Sequence, residues 1–528
     1  MRKIFYLLII PAVVLSACKK SNTPTPGGGD ETGPSKTGTT LDLIRDSVFL
    51  YAKEAYYWND GLPDYATFKP RSFTGSDDIT ALQNEVNAIS QYKINPSTSR
   101  PYEYYASAPG EAKYSFIDDG SVSAELNGIS GDFGFAPIYN DNNDLRVRYV
   151  YPNSPADLAG IKRGYQITSI NGRTNLTYDG NGGSGTNLNF VINAYANSNT
   201  ITMVLKKPDA TTMNVTLNVA TYTINPVIVH KVITDATTGK KVGYMVFNSF
   251  TSLANAKPKI DEAFAEFNTQ NITDLVIDLR YNGGGYVATA EYLSNLIAPA
   301  SKNGSLMYST YFNSTLTGLN TTEKRNASIL KNQVRKDESS GEVYNYSQFD
   351  YSVSGNAVNF SKTGVPYSLT LSHVFFIVTG STASASELTI NNLRPVMDVQ
   401  LIGTTSYGKP VGFFDIDINK YQMYVPNFET KNSANQGGYY SGMTPGSTDY
   451  PGKRDIDDVT KDFGDPTEGL LAHALTYVKT GTFTVAGQVI QSVGGKTRTM
   501  SIDESHDAGI AVDGEKFRGM VYNKKPKH

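Results

Sequence analysis

Small and hydroxyl-bearing residues are concentrated in the segment Gly380-Ser381-Thr382-Ala383-Ser384-Ala385-Ser386-Glu387. The segment follows the apolar run Phe375–Val378, which predicts a buried strand, and it opens a predicted helix that ends near Leu393. Such a turn places a hydroxyl at the carboxyl edge of a sheet, where α/β active sites form. It also points free backbone N–H groups at the same spot, ready for a developing oxyanion. One hydroxyl is expected to cap the helix, but several in succession exceed that need and indicate a nucleophile.

A nucleophilic serine requires a base, and histidine is the usual one. None of the histidines lies in a recognisable motif, and His373 precedes the predicted strand, at the end opposite the hydroxyl segment. No His-Glu-x-x-His sequence occurs, so metal-assisted hydrolysis has no support, and we predict no metal and no other cofactor. The histidines are His230, His373, His473, His506 and His528.

Lysine is the better candidate for the base. Lys409 ends the segment Gly403-Thr404-Thr405-Ser406-Tyr407-Gly408-Lys409, which follows the next predicted buried strand, Val399–Ile402. If the two strands are parallel, Lys409 emerges at the same sheet edge as the hydroxyl segment. Apolar and glycine neighbours would solvate its ammonium poorly, which lowers the pKa of a lysine and permits a neutral amine base.

Two other motifs share these residues. The spacing from Gly403 to Gly408-Lys409 approaches a phosphate-binding P-loop, but Pro410 stands where a Ser or Thr would hold Mg²⁺. Ser406-x-x-Lys409, with Lys479-Thr480-Gly481 later, also approaches the motif set of penicillin-binding enzymes. That first motif must start a helix, whereas Gly408 and Pro410 favour a loop, and no Ser-Asp-Asn lies between the two. We reject both interpretations.

The elements around these segments predict a mixed α/β fold. Buried-strand patterns at Val242–Phe247 and Leu275–Ile277 alternate with helical patterns at Ile260–Phe267 and Val287–Ile297. Such alternation implies a largely parallel sheet with crossover helices. We assign residues 224–481 to this catalytic domain, with a long polar insert at 301–370. Residues 482–528 form a tail of no assigned role.

Length and composition indicate a globular protein of several units. The chain has 528 residues, a length that exceeds what one hydrophobic core usually supports. Of these residues, 39% are hydrophobic and 18% are charged, as in globular proteins. The formal net charge is −3 and no Lys/Arg-rich stripe occurs, so we expect no nucleic-acid partner.

The N-terminal residues predict export and a lipid anchor. Arg2 and Lys3 precede an apolar stretch too short to span a bilayer. It ends in Leu15-Ser16-Ala17-Cys18, which resembles the lipobox of bacterial lipoproteins, where the cysteine is acylated. Cys18 is the single cysteine of the chain, so it cannot form an internal disulfide. We predict a signal peptide at 1–18, a flexible linker at 19–38 and a cell-envelope lipoprotein held to the membrane through this anchor only.

A helical region and a β-rich region separate the linker from the catalytic domain. Residues 39–120 carry two helical patterns, with the aromatic cluster Tyr56-Tyr57-Trp58 as part of their core. In the β-rich region, residues 121–223, Ser154-Pro155-Ala156 opens a helical turn that stops at Gly160, and a strand then enters the Asn171-Gly172 turn.

The β-rich run resembles a PDZ domain of the bacterial protease type, although Tyr165 stands where that family usually has Asp. The resemblance implies that Phe133-Gly134-Phe135 forms the loop that receives a peptide's terminal carboxylate on backbone N–H groups. A module that only packs as a rigid spacer is the alternative.

Three motifs in order resemble the C-terminal processing (tail-specific) serine peptidases: Asp278-Leu279-Arg280-Tyr281-Asn282-Gly283-Gly284-Gly285, Ser381–Glu387 and Gly403–Lys409. The resemblance covers roughly Tyr114 to Gly481 and implies a ClpP/crotonase-like catalytic domain acting on protein or peptide substrates. It also implies that Ser384 is the nucleophile and Lys409 its base. The N–H groups of Ala385 and Gly284 would form the oxyanion hole.

One departure bears on the base. Many relatives carry a Gln four residues after the Lys, which orients it, whereas this chain has Phe413 and places Pro410 directly after Lys409. The group that orients Lys409 is therefore unassigned. A catalytically weak or inactive peptide-binding lipoprotein on the same fold is the alternative function, and the sequence leaves the oligomeric state open.

Overall fold

The computed structural model describes residues 34–180, 185–336, 340–483, 491–493, 496–498 and 519–522. The predicted signal peptide and Cys18 lie outside the described residues. Within them, no helix is both long enough and apolar enough to cross a membrane. The α-helices are Thr40–Ala55, Tyr65–Phe68, Asp78–Ser90, Ser121–Leu126, Pro155–Leu158, Thr186–Ala196, Leu253–Gln270, Val287–Ile297, Ser314–Thr317, Thr322–Ala327, Ala385–Leu393 and Gly469–Thr480. Short 3₁₀ turns are Asn59–Gly61, Pro70–Ser72, Ala300–Lys302, Ile329–Asn332 and Tyr346–Gln348.

The two long helices of residues 39–120, Thr40–Ala55 and Asp78–Ser90, agree with the two helical patterns predicted there, and side chains cap both. Thr39 Oγ1 accepts the Asp42 N–H at 3.1 Å, while the Asp42 carboxylate accepts the Thr39 N–H at 2.9 Å. Asp77 caps the second helix by accepting the Thr80 N–H at 2.8 Å. Both arrangements satisfy N–H groups that a helix leaves unpaired at its start.

The core of this helical region extends beyond it. Tyr56 and Trp58 are buried, in agreement with their predicted role in packing. The same apolar cluster includes Leu316 and Phe349 from the predicted insert and Phe413 from the segment after Lys409. The helical region and the insert are therefore packed directly against the chain that carries the candidate base.

Glu85 is a fully buried carboxyl group in the helix Asp78–Ser90, and neither of its oxygens has a hydrogen-bond partner among the described residues. Burial raises its pKa well above the ordinary value, which Arg45 partly opposes and Asp46 reinforces. The folded chain therefore holds this proton at pH values where the unfolded chain, with a pKa of about 4.3, has lost it. Stability must fall as pH rises from that value toward the folded pKa.

Glu85→Gln cannot ionise, so we expect it to be more stable than wild type by more than about 1 kcal/mol at pH 8 and equally stable near pH 4. Denaturant titrations at the two pH values measure this difference. Glu323→Gln changes an exposed carboxylate and serves as the matched control. Equal stability of wild type and Glu85→Gln at pH 8 would contradict the assignment.

The β-rich region contains a five-stranded antiparallel sheet with sequential strand order and its own apolar core. Ser154 Oγ accepts the Asp157 N–H at 3.3 Å and Pro155 is the first helical residue, as the local sequence predicts. Its identification as PDZ-like stays a prediction. The five strands are Phe135–Asp141, Asp144–Val150, Gln166–Ile170, Thr200–Lys206 and Thr212–Asn218; Ile129–Asp132 pairs separately with Ala220–Thr223.

A six-stranded sheet forms the centre of the α/β region. Its first strand is antiparallel and the other five are parallel, in agreement with the predicted crossover architecture. Apolar clusters cover both faces, which is the usual environment of parallel strands. In order, the strands are Val227–Thr234, Lys241–Phe247, Asp274–Asp278, His373–Val378, Val399–Gly403 and Gly452–Arg454.

Smaller sheets surround this centre, and one of them includes a strand from the region predicted to be a polar insert. The predicted polar insert contributes the strand Leu306–Phe312, which pairs with Phe428–Asn432 in a four-stranded sheet with Val411–Gly412 and Ala357–Asn359. The partner strand is far along the chain, so the local sequence carries no sign of the pairing. The other pairs and triplets are Ile94–Asn95 with Arg100–Pro101; Phe116–Asp118 with Tyr421–Tyr424 and Ile416–Ile418; Val334–Lys336 with Val343–Asn345; Gln491–Val493 with Lys496–Arg498; and Gly284–Tyr286 with Gly519–Val521.

Candidate active site

Ser384 lies between the strand His373–Val378 and the helix Ala385–Leu393, at the carboxyl edge of the parallel sheet. Its backbone has φ 60° and ψ −105°, a conformation that a non-glycine residue rarely adopts and that costs energy. The side chain is fully buried, and Oγ has no hydrogen-bond partner among the described residues. A strained turn that presents an unpaired hydroxyl is the arrangement expected of a nucleophile.

Neighbouring hydroxyls have structural roles instead. Ser386 Oγ donates to the Asn282 carbonyl at 3.1 Å, and Thr382 Oγ1 donates to the Leu279 carbonyl at 2.6 Å. Both bonds join the turn to the segment that follows the adjacent strand. Ser384 is therefore the better candidate than Ser386 within the predicted segment.

Lys409 follows the strand Val399–Gly403 and reaches the same sheet edge, with a side chain that is fully buried. Its Nζ lies 3.5 Å from the Tyr114 carbonyl oxygen and 3.8 Å from the centre of the Phe413 ring. Phe413, at the position where the family resemblance implies a Gln, thus contacts the amine through its π face. A carbonyl from the helical region and an aromatic ring position Lys409 in this chain.

Glu387 links the two candidate residues. Its Oε2 accepts the backbone N–H groups of Ser384 and Lys409, each at 2.8 Å. Its Oε1 accepts the Gly408 N–H at 2.7 Å and the Ser406 hydroxyl at 2.5 Å. The backbone nitrogens of Ser384 and Lys409 therefore lie within two hydrogen-bond lengths of each other.

The carboxylate of Glu387 is fully buried, and burial raises its pKa, although the four donors oppose the shift. Sequence reasoning included Glu387 in the motif but gave it no role. The available signal is its place in the first turn of the helix, where Glu commonly bonds back to the capping residue. Only the fold shows that both oxygens of this carboxylate also hold the lysine loop.

The two predicted oxyanion donors are adjacent, but the Gly284 N–H already makes a hydrogen bond within the chain. Ala385 begins the helix, where an N–H has no intrahelical acceptor. A Cβ atom placed on Gly284 would lie 3.1 Å from the Ala385 nitrogen, so the two backbones are close. However, the Gly284 N–H donates to Asn282 Oδ1 at 2.9 Å. The Gly284 N–H can therefore stabilise an oxyanion only after its hydrogen bond to Asn282 has broken.

These residues lie within a segment that matches a known family. Residues 241–437 match the model of peptidase family S41, which spans the Gly283–Gly285 loop, Ser384 and Lys409. Residues 241–437 are similar to an S41 peptidase domain, and the name S41 domain is used for this segment below. The resemblance to C-terminal processing peptidases that the three motifs predict is confirmed.

Curated relatives of the S41 domain carry names of this kind. The chain is 29% identical over 177 residues to the carboxyl-terminal-processing protease of Picosynechococcus sp. (strain ATCC 27264 / PCC 7002 / PR-6), covering 33% of this chain and 39% of that protein. It is 25% identical over 301 residues to the carboxy-terminal processing protease CtpA of Bacillus subtilis (strain 168), covering 57% of this chain and 55% of that protein. The chain thus spans about half, or less, of the length of these relatives.

A solved structure extends the similarity of fold. The crystal structure of a protein described as an S41 protease, from Bacteroides fragilis NCTC 9343, matches with a TM-score of 0.54 at 22% identity, covering 85% of this chain and 99% of that chain. This likeness confirms the predicted mixed α/β class.

A buried ion network joins the S41 domain to the β-rich region. Arg280, in the first family motif, pairs with Asp278 at 2.7 Å, Glu468 at 3.0 Å and Asp457 at 2.6 Å. Arg163 from the β-rich region bonds the same Asp457 oxygen at 2.7 Å. Burial raises the pKa of Asp457, but Arg163 and Arg280 outweigh it and hold that pKa well below its ordinary value. Sequence reasoning missed this network, because Arg163, Asp457 and Glu468 lie far from Arg280 along the chain.

In the β-rich region, the loop predicted to bind a peptide carboxylate already binds a carboxylate of the chain itself, that of Asp132. Phe133 and Phe135 are buried in the core of that region. The Gly134 N–H donates to Asp132 Oδ1 at 2.6 Å, and a Cβ atom on Gly134 would lie 2.0 Å from Ser154 Cβ. Receipt of a peptide carboxylate by the Gly134 N–H therefore requires Asp132 to move away.

Each described histidine has a carboxylate partner of its own within hydrogen-bond distance. His373 Nδ1 lies 2.6 Å from Asp274, at the start of its strand and so at the sheet edge opposite Ser384. His473 pairs with Asp455 at 2.7 Å, and His230 pairs with Glu266 at 2.8 Å. Among the residues described, Lys409 is the candidate base that the fold brings to the Ser384 turn.

Proposed function

We propose that this protein is a serine endopeptidase that hydrolyses peptide bonds of exported proteins or peptides with Ser384 as nucleophile and Lys409 as base. The observation that carries the proposal is the buried, unpaired Ser384 hydroxyl on a strained turn, tied through Glu387 to the Lys409 backbone. The names of the relatives, which are C-terminal processing proteases, support the same chemistry and the choice of substrate class.

In the proposed reaction, neutral Lys409 Nζ takes the proton of Ser384 Oγ as this oxygen attacks the peptide carbonyl carbon. The Ala385 N–H, together with the Gly284 N–H once it is released, stabilises the oxyanion. When the C–N bond breaks, Lys409 returns the proton to the leaving amine and an ester to Ser384 remains. Water then attacks the ester with Lys409 again as base, which regenerates both residues.

Peptide capture by the β-rich region is a further part of the proposal. Its sheet and helices fit a PDZ-like module that adds a peptide as an extra strand, and the Arg163–Asp457–Arg280 contacts hold it against the S41 domain. Capture of a terminal carboxylate requires that the Gly134 N–H leave Asp132.

A non-catalytic peptide-binding protein is the second candidate, and one contact favours it. The Phe413 ring lies 3.8 Å from Lys409 Nζ, and an aromatic face attracts a charged ammonium rather than a neutral amine. A lysine held as ammonium cannot accept the serine proton. Complete burial acts in the opposite direction, because it disfavours the charged form.

Mass-spectrometric analysis of a mixed peptide pool separates the two candidates. We expect wild type to generate defined cleavage products and Ser384→Ala to generate none while it remains folded, because the nucleophile is lost. Ser381→Ala removes a neighbouring hydroxyl and should retain the products. Full cleavage by Ser384→Ala would refute the Ser–Lys mechanism. If that cleavage required Ser381 or Ser386, the required serine would be the nucleophile.

We also propose that the protein is a cell-envelope lipoprotein acylated at Cys18, as the lipobox-like sequence predicts. Cys18→Ser lacks the thiol that acylation requires, so we expect an uncleaved precursor that takes up no label from a fatty-acid probe. Labelling of Cys18→Ser equal to that of wild type would contradict the anchor.

A further inference from the structure

The short strand Gly519–Val521 lies beside the candidate active site, although the sequence assigned this part of the chain no role. It pairs in parallel with Gly284–Tyr286, the strand that continues the predicted oxyanion loop. The Gly519 N–H donates to the Gly283 carbonyl at 3.0 Å. One edge of this peptide is thus bound by the backbone of the glycine loop.

The other edge is bound by the chain that follows Lys409. The Phe413 N–H donates to the Met520 carbonyl at 2.9 Å, and the Tyr522 N–H donates to the Phe413 carbonyl at 2.7 Å. Gly519–Tyr522 is therefore an extended peptide between two segments that both lead away from the candidate catalytic residues. Main-chain pairing with a sheet edge is a common way for proteins to bind extended peptides, and here the chain pairs with the peptide on both of its edges.

The start of this peptide is next to the predicted oxyanion site. A Cβ atom on Gly284 would lie 2.3 Å from the Gly519 carbonyl oxygen and 3.1 Å from the Ala385 nitrogen. A peptide carbonyl of the chain itself and the nitrogen that follows Ser384 therefore both lie beside Gly284. Gly284 has φ 109°, and the close contacts leave no room for a side chain.

The side chains of the peptide fill apolar sites. Met520 is fully buried in the core of the S41 domain, and a Cβ atom on Gly412 would lie 2.6 Å from its Cγ. Val521 is buried in the cluster shared with the helical region, and the Tyr522 ring lies 5.8 Å from the Phe428 ring. Ser384 and Lys409 are both fully buried in this state. The peptide lies beside the glycine loop and the Phe413 segment, next to a site that is closed to solvent and that a substrate must reach.

We propose that the groove between Gly284–Tyr286 and Phe413 is the substrate-binding cleft of the S41 domain, and that Gly519–Tyr522 occupies it as an internal substrate mimic. The cleft binds extended peptides that present a small residue followed by apolar ones, as Gly-Met-Val-Tyr does. A substrate must displace the internal peptide. The catalytic consequence depends on the proposed function, whereas the occupancy of the cleft does not.

Variants of the full chain test this cleft. Met520→Glu places a charge in the apolar site and should release the peptide, because burial of an unpaired carboxylate is unfavourable. We expect kcat/KM for a fluorogenic apolar peptide to rise at least about tenfold, mainly through a lower KM. Leu158→Glu makes the same kind of change at a side chain that is 79% exposed and should leave kcat/KM unchanged.

A binding measurement separates the cleft from the chemistry. A fluorescein-labelled Gly-Met-Val-Tyr peptide should bind Ser384→Ala/Met520→Glu, as followed by anisotropy, and bind Ser384→Ala at least about tenfold more weakly. If no variant cleaves peptides but the double variant binds the probe, the proposed function fails and the cleft stands. If folded wild type and Met520→Glu cleave equally and neither background binds the probe, the cleft inference fails and the peptidase stands.

Tyr522→Pro provides a second route should Met520→Glu fail to fold. It removes the N–H that donates to Phe413 and leaves Met520 intact. We again expect a lower KM for the fluorogenic peptide and tighter binding of the labelled probe. A folded Tyr522→Pro protein that matches wild type in both measurements would overturn the proposal.

Discussion

Lys409→Arg is expected to be as inactive as Lys409→Ala, with kcat/KM at least about 10³-fold below wild type. Arginine keeps the positive charge, but its guanidinium cannot be deprotonated in a protein and so cannot accept the Ser384 proton. The shared Glu387 contacts are made by the backbone N–H groups of residues 384 and 409, so they survive the substitution. Kinetics with a single peptide substrate, on variants verified as folded, measure the loss.

Lys431→Arg is the matched control. Lys431 Nζ also lies over an aromatic ring, 4.9 Å from the centre of Tyr311, but it has no place in the proposed mechanism. The Lys431→Arg enzyme should therefore have the same kcat/KM as wild type. A Lys409→Arg enzyme with near-normal rates would mean that the cation only supports structure or binds substrate, and the base would lie elsewhere than at His373, which is at the opposite sheet edge.

The pH profile of wild type bears on the same residue. A free lysine has a pKa of about 10.4 and is charged at neutral pH. We therefore expect activity to rise with pH well below that value, since complete burial favours the neutral amine that the mechanism requires. A rise that begins only near pH 10 would favour the non-catalytic alternative, in which the Phe413 ring holds an ammonium.

Arg280→Met is expected to lower the free energy of unfolding by about 3–5 kcal/mol, since it leaves buried carboxylates without their partner. Asp278 and Glu468 are almost fully buried and both bond the Arg280 guanidinium. Burial lowers the pKa of Arg280, but Asp278, Glu468 and Asp457 outweigh it and hold that pKa above the ordinary value. Urea titration followed by circular dichroism measures the loss.

Lys162→Met is the control for this prediction. Lys162 pairs with Asp157 at 2.9 Å, but its side chain is 54% exposed, and exposed pairs contribute about 0–1 kcal/mol. A loss for Arg280→Met as small as that of Lys162→Met would show that the network does not stabilise the fold. Because Asp457 also bonds Arg163, the same variant should loosen the β-rich region, which hydrogen exchange at Arg146–Tyr149 would detect.

Local patterns in the sequence determined the elements that carry the site. Strands at Val242–Phe247 and Phe375–Val378 and the helix after Ser384 follow from apolar runs, glycine positions and caps, which act over a few residues. Parallel pairing then implies that Ser384 and Lys409 emerge at one edge, and the structure places them there. The β-rich region and the crossover architecture follow from the same short-range rules.

Only the tertiary structure decided what surrounds these residues. The two-sided role of Glu387, the pairing of Asp457 with Arg163 and Arg280, and the placement of Gly519–Tyr522 against Gly284 and Phe413 all join residues distant along the chain. Such contacts arise when separate elements pack, and no local propensity specifies them. The hydrogen bond that withholds the Gly284 N–H likewise depends on a loop conformation that packing selects. For this protein, the residue types predict the reaction, and the packing decides how the site is held and which distant segments lie beside it.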